Sequence, residues 1–538
     1  MAAIHPNHPV TAQHALGDIP HRSAARHGDK PAIIDGDVTL SYQQFAQRVD
    51  AVAAALQAQG LVKGDVLAVL SRNNWQMAVL PFAAARAGVI LAPINFLLSA
   101  PEVAAIIKLA QPKAFIAEEH LIEVAHGALT LAAATTTAAT AATATQTEPI
   151  LHLAINPGPR ATAHKWPDAA PWFEPGPTPQ PVTMADDDVV RLMFTSGTEA
   201  LPKGVMLTSR SLMWQYISTI FSGGFETTDV DLHFMPLYHC AQLDVFLSPD
   251  LYVGATSVIL QSAGPGRIIQ AIEQHGVNKM FATPSKWIEL LHSPAFDPAK
   301  LAAVTKGYYG ASPMPVPVLL ELQQVMPQLR LWNFYGQTEM SPAACILPPE
   351  DQLTYAGSAG KPALNVELAI LDQDCQPVPD GVVGEVAFRS PHACLGYLGN
   401  PEATDELFRG GWLHTGDLGY RSETGRLSFV DRVKDTVNVG GEKVSSREVE
   451  EVIYKLPGVQ ECAVIGVPDP RFNEAVVAVV VPKDGATVTP DGVQAHVRAA
   501  LARFKAPKFV IIAESLPKNA SGKILKRDLR DQYQAVAL

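Results

Sequence analysis

Ten consecutive residues in the first half of this 538-residue chain carry an unusual density of chemistry: Thr195-Ser196-Gly197-Thr198-Glu199-Ala200-Leu201-Pro202-Lys203-Gly204. Three hydroxyls can donate to phosphate oxygens, two glycines let backbone N–H groups approach, and Lys203 adds a positive charge. The apolar run Val189-Val190-Arg191-Leu192-Met193-Phe194 precedes the loop, and Thr208-Ser209 stand where a helix N-cap would be, before a further apolar run. The order predicts strand, phosphate loop, helix. It is not a Walker loop, which needs glycine directly before the lysine and Ser or Thr after it, whereas here Pro202 and Gly204 flank Lys203. Taken singly, a polar connection between a strand and a helix would explain the same residues.

Three further clusters share the theme. Trp332-Asn333-Phe334-Tyr335-Gly336-Gln337-Thr338-Glu339 reads as a buried aromatic strand that ends in two polar residues. A carboxylate beside a polyphosphate is repelled unless a divalent cation lies between them, which makes Glu339 a candidate Mg²⁺ ligand; a helix-capping glutamate is the plain alternative. In Gly411–Gly419, Asp417 can accept from both hydroxyls of a ribose, and Arg432 offers its planar fork fifteen residues later. A turn aspartate would explain a lone Gly-Asp equally well. Near the C-terminus, Ser521-Gly522 in Pro517–Arg527 forms a turn that can project Lys523, although basic clusters at chain ends are usually solvated faces.

The elements that must position these residues alternate. Residues 31–125 interleave strand-like runs such as Val66–Leu70 with helix-like stretches such as Tyr42–Gln59 and Pro101–Leu109, the pattern of a layered α/β domain. From 129 to 181 the chain is Ala/Thr-rich and then Pro-rich, which predicts a surface excursion with no chemistry of its own. The α/β pattern resumes at Asp187. A charged break at Asp431-Arg432-Val433-Lys434-Asp435 then opens a smaller unit. The predicted fold is therefore a large α/β N-terminal domain over 1–432 and a small α+β C-terminal domain over 433–538.

Composition bounds the rest. At 47% hydrophobic and 17% charged residues the chain has material for large cores, and a net charge of −12 argues against a nucleic-acid partner. Five scattered cysteines without Cys-x-x-Cys spacing give neither a disulfide framework nor a zinc site, so a reducing cytoplasm is expected. No secretory leader pattern and no apolar run of spanning length stand out, and no transmembrane segment is predicted.

Together the motifs resemble those of the adenylate-forming superfamily of acyl-CoA synthetases, adenylation domains and beetle luciferases, whose loop reads Thr-Ser-Gly-Thr-Thr-Gly-x-Pro-Lys-Gly. The likeness runs from about Lys30 to Arg530 with the motifs in family order. It implies a triphosphate site at Thr195, Ser196, Gly197, Thr198 and Lys203, and an adenine turn at Gly310, Ala311 and Ser312. It further implies AMP contacts at Tyr335, Gly336, Gln337 and Thr338, ribose contacts at Asp417 and Arg432, and Mg²⁺ at Glu339. Lys523 takes the place of the family's catalytic lysine, acting with Glu339 and Thr195. His239 in Met235-Pro236-Leu237-Tyr238-His239 matches the residue at the acyl pocket and pantetheine channel. Gly440, Gly441 and Glu442 match the segment beside the pantetheine arm, and Lys434 the hinge of a mobile C-terminal domain.

The activity so implied is an ATP-dependent carboxylic acid:CoA ligase, which makes an acyl-adenylate and then an acyl-CoA. The chain resembles bacterial fatty-acyl-CoA synthetases most, so a medium- to long-chain fatty acid is expected, with Gly310 and Gly336 leaving room for the tail. An aryl or branched acid walled by Trp332, Tyr335 and Met340 is the alternative, as is transfer to a carrier protein instead of free coenzyme A. A luciferase-like oxidoreductase or an inactive nucleotide-binding module is a further reading, the latter disfavoured by the joint presence of Lys523, Glu339 and Asp417. A homodimer is compatible with the resemblance. One departure stands out: Glu199-Ala200 occupies the place of Thr-Gly, and a carboxylate there is expected to face away from the phosphates or to bind a cation.

Overall fold

A computed structural model describes residues 13–139, 150–195, 202–261, 264–432, 435–439, 442–469, 471, 473–519, 522–534 and 536, without the side chains of 135–139 and 432. Three sheets organise it. In the first, of seven strands, Val66–Leu70 lies between Ile90–Ile94 and Ala114–Glu118, all parallel. Every residue of Val66–Leu70 is buried, as expected of a strand covered on both faces. Trp75–Ala87, capped by Asn74, packs on this sheet, and Tyr42–Ala58, capped by Ser41, packs on that helix. Both lie where apolar residues recur at helical spacing.

The excursion expected over 129–181 is in part structural. Leu151–Ile155 is the edge strand of this sheet, parallel to Ala114–Glu118, and the helix Ile122–Ala139 enters the excursion with Ala132 buried. A partly helical flap is one reading of the Ala/Thr-rich stretch, and its first residues do continue this helix.

The second sheet has thirteen strands and mixes parallel with antiparallel neighbours, running from Glu367–Leu371 at one end to Val38–Ser41 at the other. Its core holds an aromatic cluster in which Phe246 stacks on Phe281 with ring centroids 4.5 Å apart, and Tyr308 stacks on Trp332 at 5.0 Å. Lys279 enters this cluster with its ammonium 3.1 Å from the Phe225 ring centroid and pairs with Asp250. A buried ammonium needs such a partner, because desolvation otherwise forbids the charge.

The third and smaller sheet uses strands from Val437 onward. Val459–Asp469 and Asn473–Pro482 form its antiparallel centre, and Phe509–Ile512 joins in parallel. The large and small domains thus follow the predicted architecture.

Candidate active site

The described residues on either side of the phosphate loop are paired strands, so no helix follows it directly. Val189–Thr195 pairs antiparallel with Lys203–Thr208, and Thr195 stands directly opposite Lys203. Only then does Thr208 cap the helix Ser209–Gly223, its hydroxyl accepting from the Ser211 N–H at 3.1 Å. The expectation failed because Val205 and Leu207, both buried, extend the sheet by a short alternating run that the glycine and lysine disguise. Gly204 permits the hairpin: a Cβ there would lie 3.2 Å from the Phe194 ring. Ser196, Gly197, Thr198, Glu199 and Ala200 lie outside the described residues.

Beneath Lys203 sits a residue that sequence reasoning missed. The short strand Gly396–Tyr397 pairs with Lys203–Thr208, Tyr397 opposite Val205. Its ring lies 5.0 Å from the Lys203 ammonium, and its hydroxyl donates to Glu339 Oε1 at 2.8 Å. Burial, reinforced by the Glu339 charge, raises the phenol well above its ordinary range, so it stays a donor. Glu339 Oε2 has no hydrogen-bond partner among the described residues and is the carboxylate atom open to a cation. A glycine before a lone tyrosine was the only sequence signal.

On the other side of the site, the Tyr335 hydroxyl donates to Asp417 Oδ2 at 2.6 Å. Asp417 and Arg432 are direct partners across neighbouring strands, so their backbones are adjacent although fifteen residues separate them. Thr338 lies one turn beyond Gly336 and contacts Cys240 Sγ at 3.4 Å, while Gln337 forms the N-cap of that turn. Ala311 follows Gly310 with φ of 64°, a conformation costly for a residue with a Cβ, and leads into Ser312.

Two expectations about the acyl tail fail here. A Cβ at Gly310 would lie 2.5 Å from the Phe334 carbonyl oxygen, and one at Gly336 would lie 1.9 Å from that of Pro342. Backbone fills both spaces, so these glycines allow strands to approach and leave no tail channel. Nor do the proposed walls face an acid: Trp332 stacks inside the aromatic cluster, Tyr335 serves Asp417, and Met340 is fully buried.

A small space of about 10 Å³, room for one water, lies beside His239, lined by Met235, Gln242, Phe281, Thr283 and Ala311 among others. The Ala241 N–H donates to His239 Nδ1 at 3.2 Å, so the ring carries its proton on Nε2. Burial first, then the Lys523 charge, holds this histidine at about 4, neutral and a donor near neutral pH.

Lys523, in the C-terminal domain, lies near enough for its charge to act on that histidine. Asn519 and Lys523 close a turn in which the Asn519 N–H donates to the Lys523 carbonyl and the Lys523 N–H to Asn519 Oδ1, each at 2.9 Å. Gly522, at φ of 81°, packs so closely on the large domain that a Cβ would meet Thr283 Oγ1 at 2.8 Å. Arg447 adds a second clamp, donating to the Gly357 carbonyl at 2.8 Å and the Phe429 carbonyl at 2.6 Å. Glu442 is exposed at the start of the strand Glu442–Val444, while Lys434, Gly440 and Gly441 lie outside the described residues.

The structure thus pairs a large domain with a small one, Gly522 of the small domain resting against Thr283 of the large one. Residues 20–398 match the AMP-binding enzyme family and residues 448–523 the AMP-binding enzyme C-terminal domain, and the chain belongs to that family. It is 34% identical over 518 residues to a feruloyl-CoA synthase of Amycolatopsis sp, covering 96% of this chain and 99% of that one. It is 31% identical over 511 residues to the fatty acid–[acyl-carrier-protein] ligase ScoC of Streptomyces coeruleorubidus, covering 94% and 93%. The crystal structure of ATP-bound MatB from Rhodopseudomonas palustris superposes with a TM-score of 0.85 at 27% identity, covering 97% of this chain and all of that one. The protein is an acid–thiol ligase that uses ATP, Mg²⁺ and coenzyme A.

Proposed function

We propose that the ligase activates a compact, aryl-type carboxylic acid, and that Lys523 drives the adenylation step from the pose described above. In this reading the acid lies in the cleft beside His239. Its carboxylate oxygen attacks the α-phosphorus of ATP, the bond from that phosphorus to the bridging oxygen of pyrophosphate breaks, and an acyl-adenylate remains. Lys523 and the His239 Nε2–H donate to the oxygens that gain charge. Lys203 and the loop from Thr195 through Ser196, Gly197 and Thr198 hold the leaving phosphates, while Asp417 and Arg432 hold the ribose. Ala311 and its neighbours flank the adenine. Glu339, oriented by Tyr397, is the residue that would hold Mg²⁺, which when bound neutralises phosphate charge.

The carrying observation is the close approach of Gly522 to Thr283, which brings the neighbouring Lys523 within electrostatic reach of His239. A thiol cannot reach the acyl carbon while Lys523 fills that approach. Thioester formation therefore requires the C-terminal domain, with its boundary near Val433, to swing about Lys434 and release the Arg447 clamp. Gly440, Gly441 and Glu442 would then pass the pantetheine arm.

The aryl reading is favoured over the fatty acid by what lies behind the cleft. A long tail passing Gln242 would have to displace the Phe246–Phe281 stack and meet the buried Lys279–Asp250 pair. The feruloyl-CoA relative supports the same choice, while the ScoC relative keeps carrier protein as a rival acceptor. A reducing cytoplasm, in which the free cysteines stay thiols, is the compartment we propose.

Pyrophosphate release over aryl, branched and fatty acids, with and without coenzyme A, tests the reading. Aryl acids should give the highest kcat/KM, and preference for long alkanoates would overturn the substrate class. Lys523→Ala should lose adenylation yet still convert supplied acyl-adenylate to thioester. Equal loss of both half-reactions would overturn the role of Lys523.

A further inference from the structure

Two buried polar atoms of the cleft, Gln242 Oε1 and Thr283 Oγ1, have no partner among the described residues. Local folding explains neither. Thr283 occupies the N-cap position of the helix Pro284–Leu291, yet its hydroxyl makes no capping bond. Gln242 is only 1% exposed, and a buried carbonyl oxygen left without a donor is costly.

The orientation of the Gln242 amide is set from behind. Its Nε2 donates to His233 Nδ1 at 2.7 Å, and His233 Nε2 faces Asp250 Oδ2 at 3.6 Å. Asp250 is in turn paired with Lys279, which also lies 3.4 Å from Asp231. At 3.6 Å the Asp250 contact is no hydrogen bond; it is the Gln242 amide nitrogen at 2.7 Å that makes Nδ1 the acceptor and leaves the imidazole proton on Nε2, the side of Asp250. With its NH₂ turned inward, Gln242 leaves Oε1 as the amide atom available to a ligand. Burial keeps His233 neutral, its titration pushed down to about 4, so it does not gain a second proton at working pH.

The geometry points to Gln242 as a specificity determinant whose Oε1 accepts a hydrogen bond from a hydroxyl or N–H on the tail of the acid, with Thr283 Oγ1 as a second polar contact nearer Lys523. The inference rests on the cleft being the acyl site. It narrows the substrate to carboxylic acids with a hydrogen-bond donor remote from the carboxylate, whose entry must part Met235 and Phe281, since the space between the lining residues is now about 10 Å³. A tail with only C–H groups there would leave both oxygens unpaired, the situation in which enzymes discriminate most strongly.

The test uses the full-length enzyme with ATP and coenzyme A on matched pairs: para-hydroxycinnamate and cinnamate, para-hydroxybenzoate and benzoate, and hydroxyl-terminated hexanoate and hexanoate. The wild-type enzyme should favour the hydroxylated member of at least one pair by about tenfold or more in kcat/KM. Gln242→Leu should bring that ratio close to unity, whereas Gln242→Glu, which keeps an acceptor, should retain part of it. Absence of preference in all pairs, or a preference that survives Gln242→Leu, overturns the inference while leaving the ligase reading intact. Should Gln242→Leu fail to fold, the wild-type ratios and Thr283→Val decide. Failure to turn over any of these acids would instead strike the acyl site itself, and the inference with it.

Discussion

Tyr397→Phe isolates one atom of the site. The substitution removes the hydroxyl that donates to Glu339 Oε1 at 2.8 Å and keeps the ring that lies 5.0 Å from the Lys203 ammonium. A hydrogen bond to a charged group contributes about 1.5–3 kcal/mol, and each 1.4 kcal/mol is about a factor of ten, so kcat/KM for ATP should fall roughly ten- to hundredfold. The Mg²⁺ concentration for half-maximal rate should rise, because a carboxylate free to rotate holds a cation less well. Tyr397→Leu removes the ring as well and should cost about a further 0.5–1 kcal/mol through Lys203. Pyrophosphate release against ATP and Mg²⁺ concentration measures all three effects, with unfolding curves to show that both variants are folded. If Tyr397→Phe stays within about twofold of wild type, where a lost charge-assisted bond should cost far more, the assignment of Glu339 as the oriented carboxylate is wrong.

Other perturbations probe the frame. Gly336→Ala puts a Cβ 1.9 Å from the Pro342 carbonyl oxygen, so the backbone between Tyr335 and Thr338 must move; a stability loss of about 1–3 kcal/mol and a raised KM for ATP are expected, by urea unfolding and steady-state kinetics. Asp244→Ala strips the counter-charge from fully buried Arg191, which should cost about 3–5 kcal/mol in urea unfolding. His392, buried between the Ser218 hydroxyl and the Ala343 carbonyl, is pushed down to about 4 by desolvation. Its unfolded form takes a proton near pH 6.5 while the folded form does not, so its contribution is intact above about pH 6.5 and drains away as pH falls toward 4, at roughly 1.4 kcal/mol per pH unit. His392→Asn should flatten that part of the stability–pH profile, and an unchanged slope would refute the assignment.

The chemistry-bearing clusters were legible because each needs a fixed residue type at a fixed spacing: hydroxyls, glycines and a lysine around Thr195–Gly204, Thr338-Glu339, Asp417 with Arg432, and Lys523 after Gly522. Helix and strand periodicity gave the layers for the same reason, since burial of one face imposes a repeat on the chain. The strand Leu151–Ile155 was lost in a low-complexity neighbourhood, and the hairpin at Lys203–Thr208 was too short to show its alternation.

What the chain alone determined was therefore the reaction class, with the motif residues proposed to perform it. Tertiary structure decided who meets whom. Tyr397 joins Glu339 and Lys203 only because a two-residue strand adds to the sheet beside Val205, and Gly310 and Gly336 turn out to admit backbone instead of an acyl tail. Gln242 acquires an oriented carbonyl through His233, Asp250 and Lys279, residues from three separate segments. Such contacts depend on which faces the layers bury against one another, and no local pattern of residues encodes that juxtaposition.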